Sequence, residues 1–192
     1  MFDVDRLVEE CRGALGEGQP RTAIREVLER ALSRPGEVAD VLRPEEGGLH
    51  MLHNTDDLTV IHVVWAPGMV LYPHDHRMWA AIGIYTGRED NAFYRRSGPG
   101  EKTLVESGGR QLAEGDIVVL GDDTIHQVTN PLRRLTGAIH VYGGDFVRQP
   151  RSQWGPGPRE ERPYDMDDAR RQFAEANAAW HAEQSSTVAP DV

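Results

Sequence analysis

Two absences narrow the class of protein before any motif is considered. The single cysteine, Cys11, excludes an internal disulfide and a cysteine cluster for zinc, and its apolar surroundings favour a small core residue. No segment approaches about eighteen consecutive apolar residues. Asp3, Asp5, Glu9 and Glu10 stand where a secretory signal needs basic residues followed by an apolar run. We therefore expect a cytoplasmic protein with no membrane partner.

Positive charge is also scarce, with 21 lysines and arginines against 31 aspartates and glutamates, which gives a net charge of −10. A surface of this sign repels nucleic acid and anionic lipid, so we exclude nucleic acid as a partner. The 192 residues suffice for one domain, which buries about 70% of the surface that its unfolded chain exposes. Two independent domains are not expected.

Helical periodicity marks the start of the chain. Residues 3–15 place apolar side chains at three- and four-residue spacings, which is one face of a helix. A second helix begins at Pro20 and ends before Arg34-Pro35-Gly36. Both are expected to pack against the outside of the main body.

The end of the chain predicts a different arrangement. Residues 149–163 contain four prolines and several charges, which predicts a surface loop or an extended strap. Asp165 is the expected N-cap of a final helix. From Ser185 onward we expect disorder.

Between these ends, the apolar pattern alternates in short runs rich in β-branched and aromatic residues. Turns such as Pro67-Gly68 and Ser107-Gly108-Gly109 separate them. The pattern is typical of a sandwich, jelly roll or barrel. We count about eight strands and one more at 134–142, the eight being roughly 58–65, 69–73, 78–86, 91–96, 102–106, 110–113, 116–121 and 125–129.

Three histidines stand out within these strands. His74 and His76 are two residues apart, so on a strand their rings project from the same face and can reach one ion. His126 lies on a later strand, expected opposite the first pair across a barrel. The spacing predicts one divalent metal ion held by three imidazoles.

The spacing resembles the two motifs of the cupin superfamily. The matching residues are Gly68, His74, His76 and Gly87 in the first motif and Gly115, His126 and Asn130 in the second. The glutamate of the first motif is replaced by Ala80, and Gly121 and Asp123 stand where the second has proline and glycine. The resemblance implies an all-β core, a double-stranded β-helix or jelly-roll barrel, with N-terminal helices and a C-terminal helix.

On this resemblance the chain divides into three parts. Residues 1–48 are expected to form a helical segment packed on the barrel. Residues 49–148 form the cupin barrel with the metal site, and 149–192 form the Pro-rich strap, the C-terminal helix and a flexible tail.

Loss of the glutamate removes the anionic ligand, so the site keeps a charge near that of the ion and favours anionic substrate atoms. Within the cupins this resembles the thiol dioxygenases of cysteine, 3-mercaptopropionate and cysteamine. Bacterial members share the pattern His74-Asp75-His76-x-x-Trp79-x-x-Ile82-Gly83, which continues to Gly87-x-Glu89. The resemblance implies an Fe(II) enzyme that adds both atoms of O₂ to a thiol sulfur, giving a sulfinate. The expected partners are a small-molecule substrate and O₂, and the expected oligomeric state is a monomer or homodimer. Nickel, zinc, copper or manganese can replace iron in the purified protein.

Members of that family carry a Ser-x-His-x-Tyr triad beside the iron. Here the strand reads Ala138-Ile139-His140-Val141-Tyr142, with Ala138, His140 and Tyr142 on one face. The resemblance implies that Tyr142, held by His140, orients bound thiolate or oxygen, in a relay shortened by the missing serine. The alternative is a buried polar pair.

The substrate residues are less clearly indicated. The arginine with which cysteine dioxygenases clamp the substrate carboxylate is absent from 50–54, which disfavours free cysteine as substrate. Arg77, His53 and Trp79 are the candidate substrate-binding residues, although Trp79 also fits packing behind the metal. Arg95 and Arg148 are further cations, each more typical of a solvated surface charge.

Two other functions stay open. One is a different metal-dependent cupin enzyme, an isomerase, decarboxylase or carbon-cleaving dioxygenase, and the other is a cupin that binds a small molecule without catalysis. In each case metal binding needs neutral imidazoles. We therefore expect metal affinity to fall as the pH drops through about 6.5.

Overall fold

The structure, a computed structural model, describes residues 1–101, 103–155 and 160–187. No helix in these ranges is both long enough and apolar enough to cross a membrane. The elements in chain order are α1 (Val4–Leu15), α2 (Pro20–Ala31), α3 (Pro35–Leu42), β1 (Gly48–Asn54), β2 (Thr59–Trp65), β3 (Val70–Asp75), β4 (Ala80–Thr86), β5 (Arg88–Arg96), β6 (Leu104–Ala113), β7 (Ile117–Leu120), β8 (Ile125–Thr129), β9 (Thr136–Tyr142), β10 (Ser152–Trp154), β11 (Glu161–Pro163) and α4 (Met166–Thr187).

The strands form two antiparallel sheets. One has the order β1-β2-β9-β4-β7 and the other β11-β10-β3-β8-β5-β6. Apart from the β5–β6 hairpin, successive strands from β2 to β9 cross from one sheet to the other, which is the connectivity of a jelly roll. The expected fold class, an all-β double-stranded β-helix barrel with helices at both ends, is confirmed.

The barrel has an apolar layer on each side of its first sheet. Ile61 and Val63 of β2 point into the interior cluster between the sheets. Leu58 and Val60 join an outer cluster with the helices, to which α2 contributes Leu28. Every residue of β2 is therefore buried, because α1 to α3 cover the face that would otherwise meet solvent.

Capping side chains and proline residues mark where the helices begin. Asp3 caps α1 by accepting a 2.8 Å hydrogen bond from the Arg6 N–H. Pro35 does more than end the preceding helix: it occupies the first turn of α3, a short helix that the sequence pattern missed, because proline at this position loses no helical hydrogen bond. Asp165 caps α4 as expected, since its Oδ1 accepts from the N–H of Asp167 at 2.9 Å.

Three segments differ from the sequence expectation. The predicted turn at Ser107-Gly108-Gly109 is a bulge inside one long strand, β6, where the register against β5 shifts by one residue. Of the two alternatives predicted for 149–163, a surface loop or an extended strap, the strands β10 and β11 agree with the extended one, but Trp154 within it is fully buried. Ser185 lies in α4 rather than in a disordered tail, while 188–192 fall outside the described residues.

We predict that Leu28→Ala lowers the free energy of unfolding by about 2–5 kcal/mol, because Leu28 is fully buried between α2 and the barrel. Urea unfolding measures the change. Glu26→Ala, on the exposed side of the same helix, is the control and is expected to change stability by less than about 0.5 kcal/mol. Equal effects of the two substitutions would show that α2 does not pack on the barrel as described.

Candidate metal centre

Strand pairing brings the three histidines together. The strand of His126 was expected across the barrel from the first pair, but β8 is the hydrogen-bonded neighbour of β3 in the same sheet. His74 near the end of β3 pairs with His126 in the antiparallel register, and His76 follows β3 by one residue. The ring centroids are 4.8 Å apart for His74 and His76, 4.6 Å for His74 and His126, and 5.2 Å for His76 and His126. All three side chains are buried, and one nitrogen from each lies within 4.8 Å of the others. Among the described residues, this group contains no carboxylate.

Outer hydrogen bonds orient two of the rings. His74 Nδ1–H donates to the Tyr72 carbonyl at 2.9 Å, and His126 Nδ1–H donates to Asn91 Oδ1 at 2.7 Å. Each bond leaves the Nε2 lone pair free, which is the usual arrangement of a metal-bound histidine.

The spacing of the nitrogens suits a metal ion. His76 Nε2 lies 3.0 Å from His126 Nε2, and His76 Nδ1 is buried with no hydrogen-bond partner among the described residues. Two nitrogens held about 2.1 Å from one ion, at a right angle, would be about 3.0 Å apart. The three histidines therefore fit a first-row divalent ion, whose identity the donor set leaves open between iron, zinc, copper and nickel.

Burial keeps the three rings in the form that binds metal. Desolvation lowers the pKa of His74 to about 4, and it lowers the pKa values of His76 and His126 well below their usual range. The expected loss of metal affinity near pH 6.5 is corrected accordingly: the rings resist protonation until a distinctly lower pH.

Tyr142 and His140 lie beside the cluster on β9. The Tyr142 hydroxyl and His140 Nδ1 share a 2.9 Å hydrogen bond, and the Tyr142 ring centroid is 4.8 Å from that of His76. Burial raises the pKa of Tyr142 above its usual range, so the phenol keeps its proton. Ala138, at the position of the family's serine, is fully buried and offers no hydroxyl.

The residues predicted to bind substrate have other partners. Arg77 is partly exposed and forms ion pairs with Asp75 and Glu161. His53 on β1 lies 3.4 Å from the Thr55 hydroxyl, and Trp79 packs with the outer cluster under the helices. None of these contacts involves the three histidines, so a substrate-binding role for Arg77, His53 and Trp79 stays a prediction without support from their contacts.

Arg95 and Arg148 lie at the surface. Arg95 is exposed on β5, and Arg148 forms an exposed ion pair with Asp56. Neither is a buried cation that could replace the absent carboxylate-binding arginine.

Sequence reasoning missed Arg151, a buried cation beside the histidines. Its guanidinium lies 3.9 Å from the ring centroid of Phe146 and 4.2 Å from that of Tyr164, and it donates to the Phe146 carbonyl. These two rings are 6.0 Å from His76 and 5.8 Å from His74 respectively. Arg151 makes no ion pair with a carboxylate in the described part of the chain, and its buried Nε has no partner there.

The local sequence did not indicate that Arg151 is buried. Arg151 stands in the Pro-rich segment that predicted a surface loop, and it is 8% exposed only because β10 adds to the sheet, where Gln153 pairs with His74. Such non-local pairing leaves no trace in the apolar pattern of 149–163. The flanking aromatic residues Trp154 and Tyr164 were the one available hint of burial.

Comparison with known proteins adds the following. No protein-family model matches the sequence. Oxalate decarboxylase from Bacillus subtilis is 14% identical over 47% of this chain and 22% of that chain, with a TM-score of 0.38. A protein from Bacillus halodurans is 13% identical over 66% of this chain and 84% of that one, with a TM-score of 0.48. An RmlC-like cupin family protein with a double-stranded β-helix fold, from Methanocaldococcus jannaschii, is 17% identical over 53% and 83%, with a TM-score of 0.42.

These similarities are too weak to indicate an activity, and this chain spans only 22% of the length of the oxalate decarboxylase chain. The fold assignment rests on the strand order of the protein itself. What the site offers is a carboxylate-free cluster of three imidazoles, a protonated phenol and an arginine without a carboxylate partner among the described residues.

We predict that His126→Gln weakens zinc binding by more than about 100-fold, the upper figure for loss of an outer partner of a metal ligand. Isothermal titration with zinc measures the change. His62→Gln is the matched control, because His62 is also buried but hydrogen-bonds Tyr85 instead of joining the cluster. Equal zinc affinity in both variants would exclude His126 as a ligand.

His62 also predicts how stability depends on pH. Burial, followed by the charges of His50 and His140, lowers the pKa of His62 to about 4, whereas the unfolded chain has the ordinary value near 6.5. Below pH 6.5 the unfolded state therefore takes up a proton that the folded state refuses, and stability falls as the pH drops towards 4. In metal-free protein, the free energy of unfolding falls between about pH 7 and pH 5. We expect this fall to be smaller in His62→Gln than in the wild type, by up to about 2 kcal/mol. Urea unfolding at both pH values measures this; equal losses would contradict it.

Proposed function

We propose that the protein is an Fe(II)-dependent dioxygenase that converts a small anionic thiol to its sulfinate. The observation that carries the proposal is the Tyr142–His140 pair set against three imidazoles with no carboxylate among them. The sequence pattern from His74 to Glu89, which resembles bacterial thiol dioxygenases, supports it.

The charge of the site favours a thiolate. Three neutral histidines leave the charge of a divalent ion uncompensated, whereas an Asp or Glu ligand would offset part of it. A substrate that binds through thiolate sulfur supplies the missing negative charge. A ferrous ion held there would supply the redox chemistry that allows O₂ to react with the sulfur.

The reaction is R–SH + O₂ → R–SO₂⁻ + H⁺. Two S–O bonds form and the O–O bond breaks, so sulfur loses four electrons and O₂ gains them. Tyr142 keeps its proton at neutral pH, and its oxygen is held at the cluster by His140. The phenol oxygen is thus placed to accept a hydrogen bond from a protonated substrate atom, and the buried surroundings exclude water from the reacting atoms.

Arg151 supports a substrate with an anionic group. A guanidinium presents several N–H donors in a plane that matches a carboxylate, and here Phe146 and Tyr164 hold that plane from two sides. The same two rings reach the metal cluster, since Phe146 lies 6.0 Å from His76 and Tyr164 lies 5.8 Å from His74. We assign Arg151 the carboxylate-binding role for which the sequence offered no residue at 50–54. Mercaptocarboxylates are the substrate class that fits.

The test is oxygen uptake by anaerobically iron-loaded protein with mercaptocarboxylates, cysteine and cysteamine, with mass spectrometry of the sulfinate. We expect Arg151→Gln to raise the KM for a mercaptocarboxylate about ten- to a hundredfold, as for loss of a hydrogen bond between charged groups, and to leave cysteamine unaffected. Arg110→Gln, an exposed arginine on β6, is the control.

Failure of every thiol in the panel to consume oxygen would end the proposal. Turnover of a sulfur-free substrate by the same protein would favour another metal-dependent enzyme. Tight binding of a carboxylate without any turnover would favour a binding protein.

A further inference from the structure

Glu89 is a fully buried carboxylate that the reaction above does not use. It lies on β5, and neither a lysine nor an arginine pairs with it in the described ranges. Its Oε2 accepts from Trp65 Nε1–H at 2.8 Å, and its Oε1 accepts from Asn91 Nδ2–H at 2.9 Å. Burying a carboxylate without a cation is costly, so its presence calls for a physical reason.

One reason is the direction that Glu89 imposes on Asn91. Glu89 Oε1 accepts from the Asn91 NH₂ group, so the Asn91 amide turns its oxygen away from Glu89. That oxygen faces His126 Nδ1 at 2.7 Å, so this nitrogen must carry the hydrogen. The Nε2 lone pair of His126 is then free for a metal ion.

The other side of Glu89 faces His140. His140 Nε2 lies 3.7 Å from Glu89 Oε2 and has no hydrogen-bond partner elsewhere in the described part of the chain. A hydrogen on Nε2, directed at the carboxylate, leaves His140 Nδ1 to accept from the Tyr142 O–H. At 3.7 Å the carboxylate is beyond hydrogen-bond distance from Nε2, so it favours this tautomer through its charge, at a place where Ala138 offers no hydroxyl.

We propose that Glu89 is a positioning residue that fixes the donor–acceptor direction of this network. It holds His126 in the tautomer whose Nε2 binds metal, and it holds His140 in the tautomer that accepts from Tyr142. The inference rests on the proposed metal site but not on the thiol reaction.

The test is to reverse the direction and then restore it. Trp65 Nε1–H can only donate, so in Glu89→Gln the new amide keeps its oxygen towards Trp65 and turns its NH₂ towards Asn91. Asn91 must then flip, and its NH₂ faces His126 Nδ1, which must accept. In the double variant Glu89→Gln/Asn91→Asp, the amide and the carboxylate exchange places. The amide now at position 89 then donates to the carboxylate now at position 91, which again accepts from His126, and the net charge equals that of the wild type.

Two measurements report the outcome. The ¹⁵N shifts of the histidine rings in metal-free protein give the tautomers, and titration with Co(II) gives the metal affinity. We expect Nδ1–H on His126 in the wild type, Nε2–H in Glu89→Gln with about ten- to a hundredfold weaker Co(II) binding, and recovery of both in the double variant. Glu106→Gln, exposed on β6, is the control.

Several results would overturn the inference. These are Nε2–H on His126 in the wild type, an unchanged tautomer and Co(II) affinity in Glu89→Gln, or a folded double variant with no recovery. If Glu89→Gln does not fold, the wild-type tautomer and the double variant decide. Wild-type protein that binds Co(II) but oxidises no thiol contradicts the proposed reaction alone, because the tautomers are measured without metal or substrate.

Discussion

The antiparallel pairing of β3 with β8 is the constraint on which the site depends. It sets His74 opposite His126, and the end of β3 brings His76 to the same place. Because both strands belong to a sheet whose inner face meets the other sheet, the three imidazoles are buried, and burial is what keeps them neutral. The strand register therefore determines the burial of the histidines, and burial determines their protonation state. A slip of one residue in β8 would turn His126 out of the interior.

The charges inside the barrel bear on the anionic thiol that we propose as substrate. Arg151 and Glu89 are both buried in the barrel, and the opposite charges of a guanidinium and a carboxylate offset each other. The two charges of a divalent ion would then remain, because none of the three ligands is anionic. In the proposed substrate, the two negative charges of a thiolate and a carboxylate equal the two positive charges that remain. The thiolate would bind the ion, and the carboxylate would bind the guanidinium. Neither a neutral thiol nor a simple amine would balance the interior equally well.

The sequence predicted what is local and missed what is not. Alternating apolar runs located most strands, and the histidine spacing gathered the three rings, because strand periodicity and side-chain direction are properties of a few neighbouring residues. The Ser107–Gly109 bulge looked like a turn, since glycine is common to both. Arg151 was missed because its burial depends on β10 joining β3. Glu89 was part of the sequence pattern, but its contacts were not predicted, because Trp65 comes from the other sheet and Asn91 from two residues along β5.

The sequence pattern indicated a relay shortened by Ala138 at the serine position, but the structure places the Glu89 carboxylate near His140. His140 turns one nitrogen to Tyr142 and the other towards β5, so what matters for the phenol is whether an acceptor stands there. A carboxylate is a stronger acceptor than a hydroxyl and cannot donate, which removes the ambiguity that a serine would leave. Since the same carboxylate directs Asn91 and hence His126, one buried group orders both the metal side and the tyrosine side of the site. The two halves of the site, already in contact through the rings of Tyr142 and His76, are thus also joined by hydrogen-bond direction.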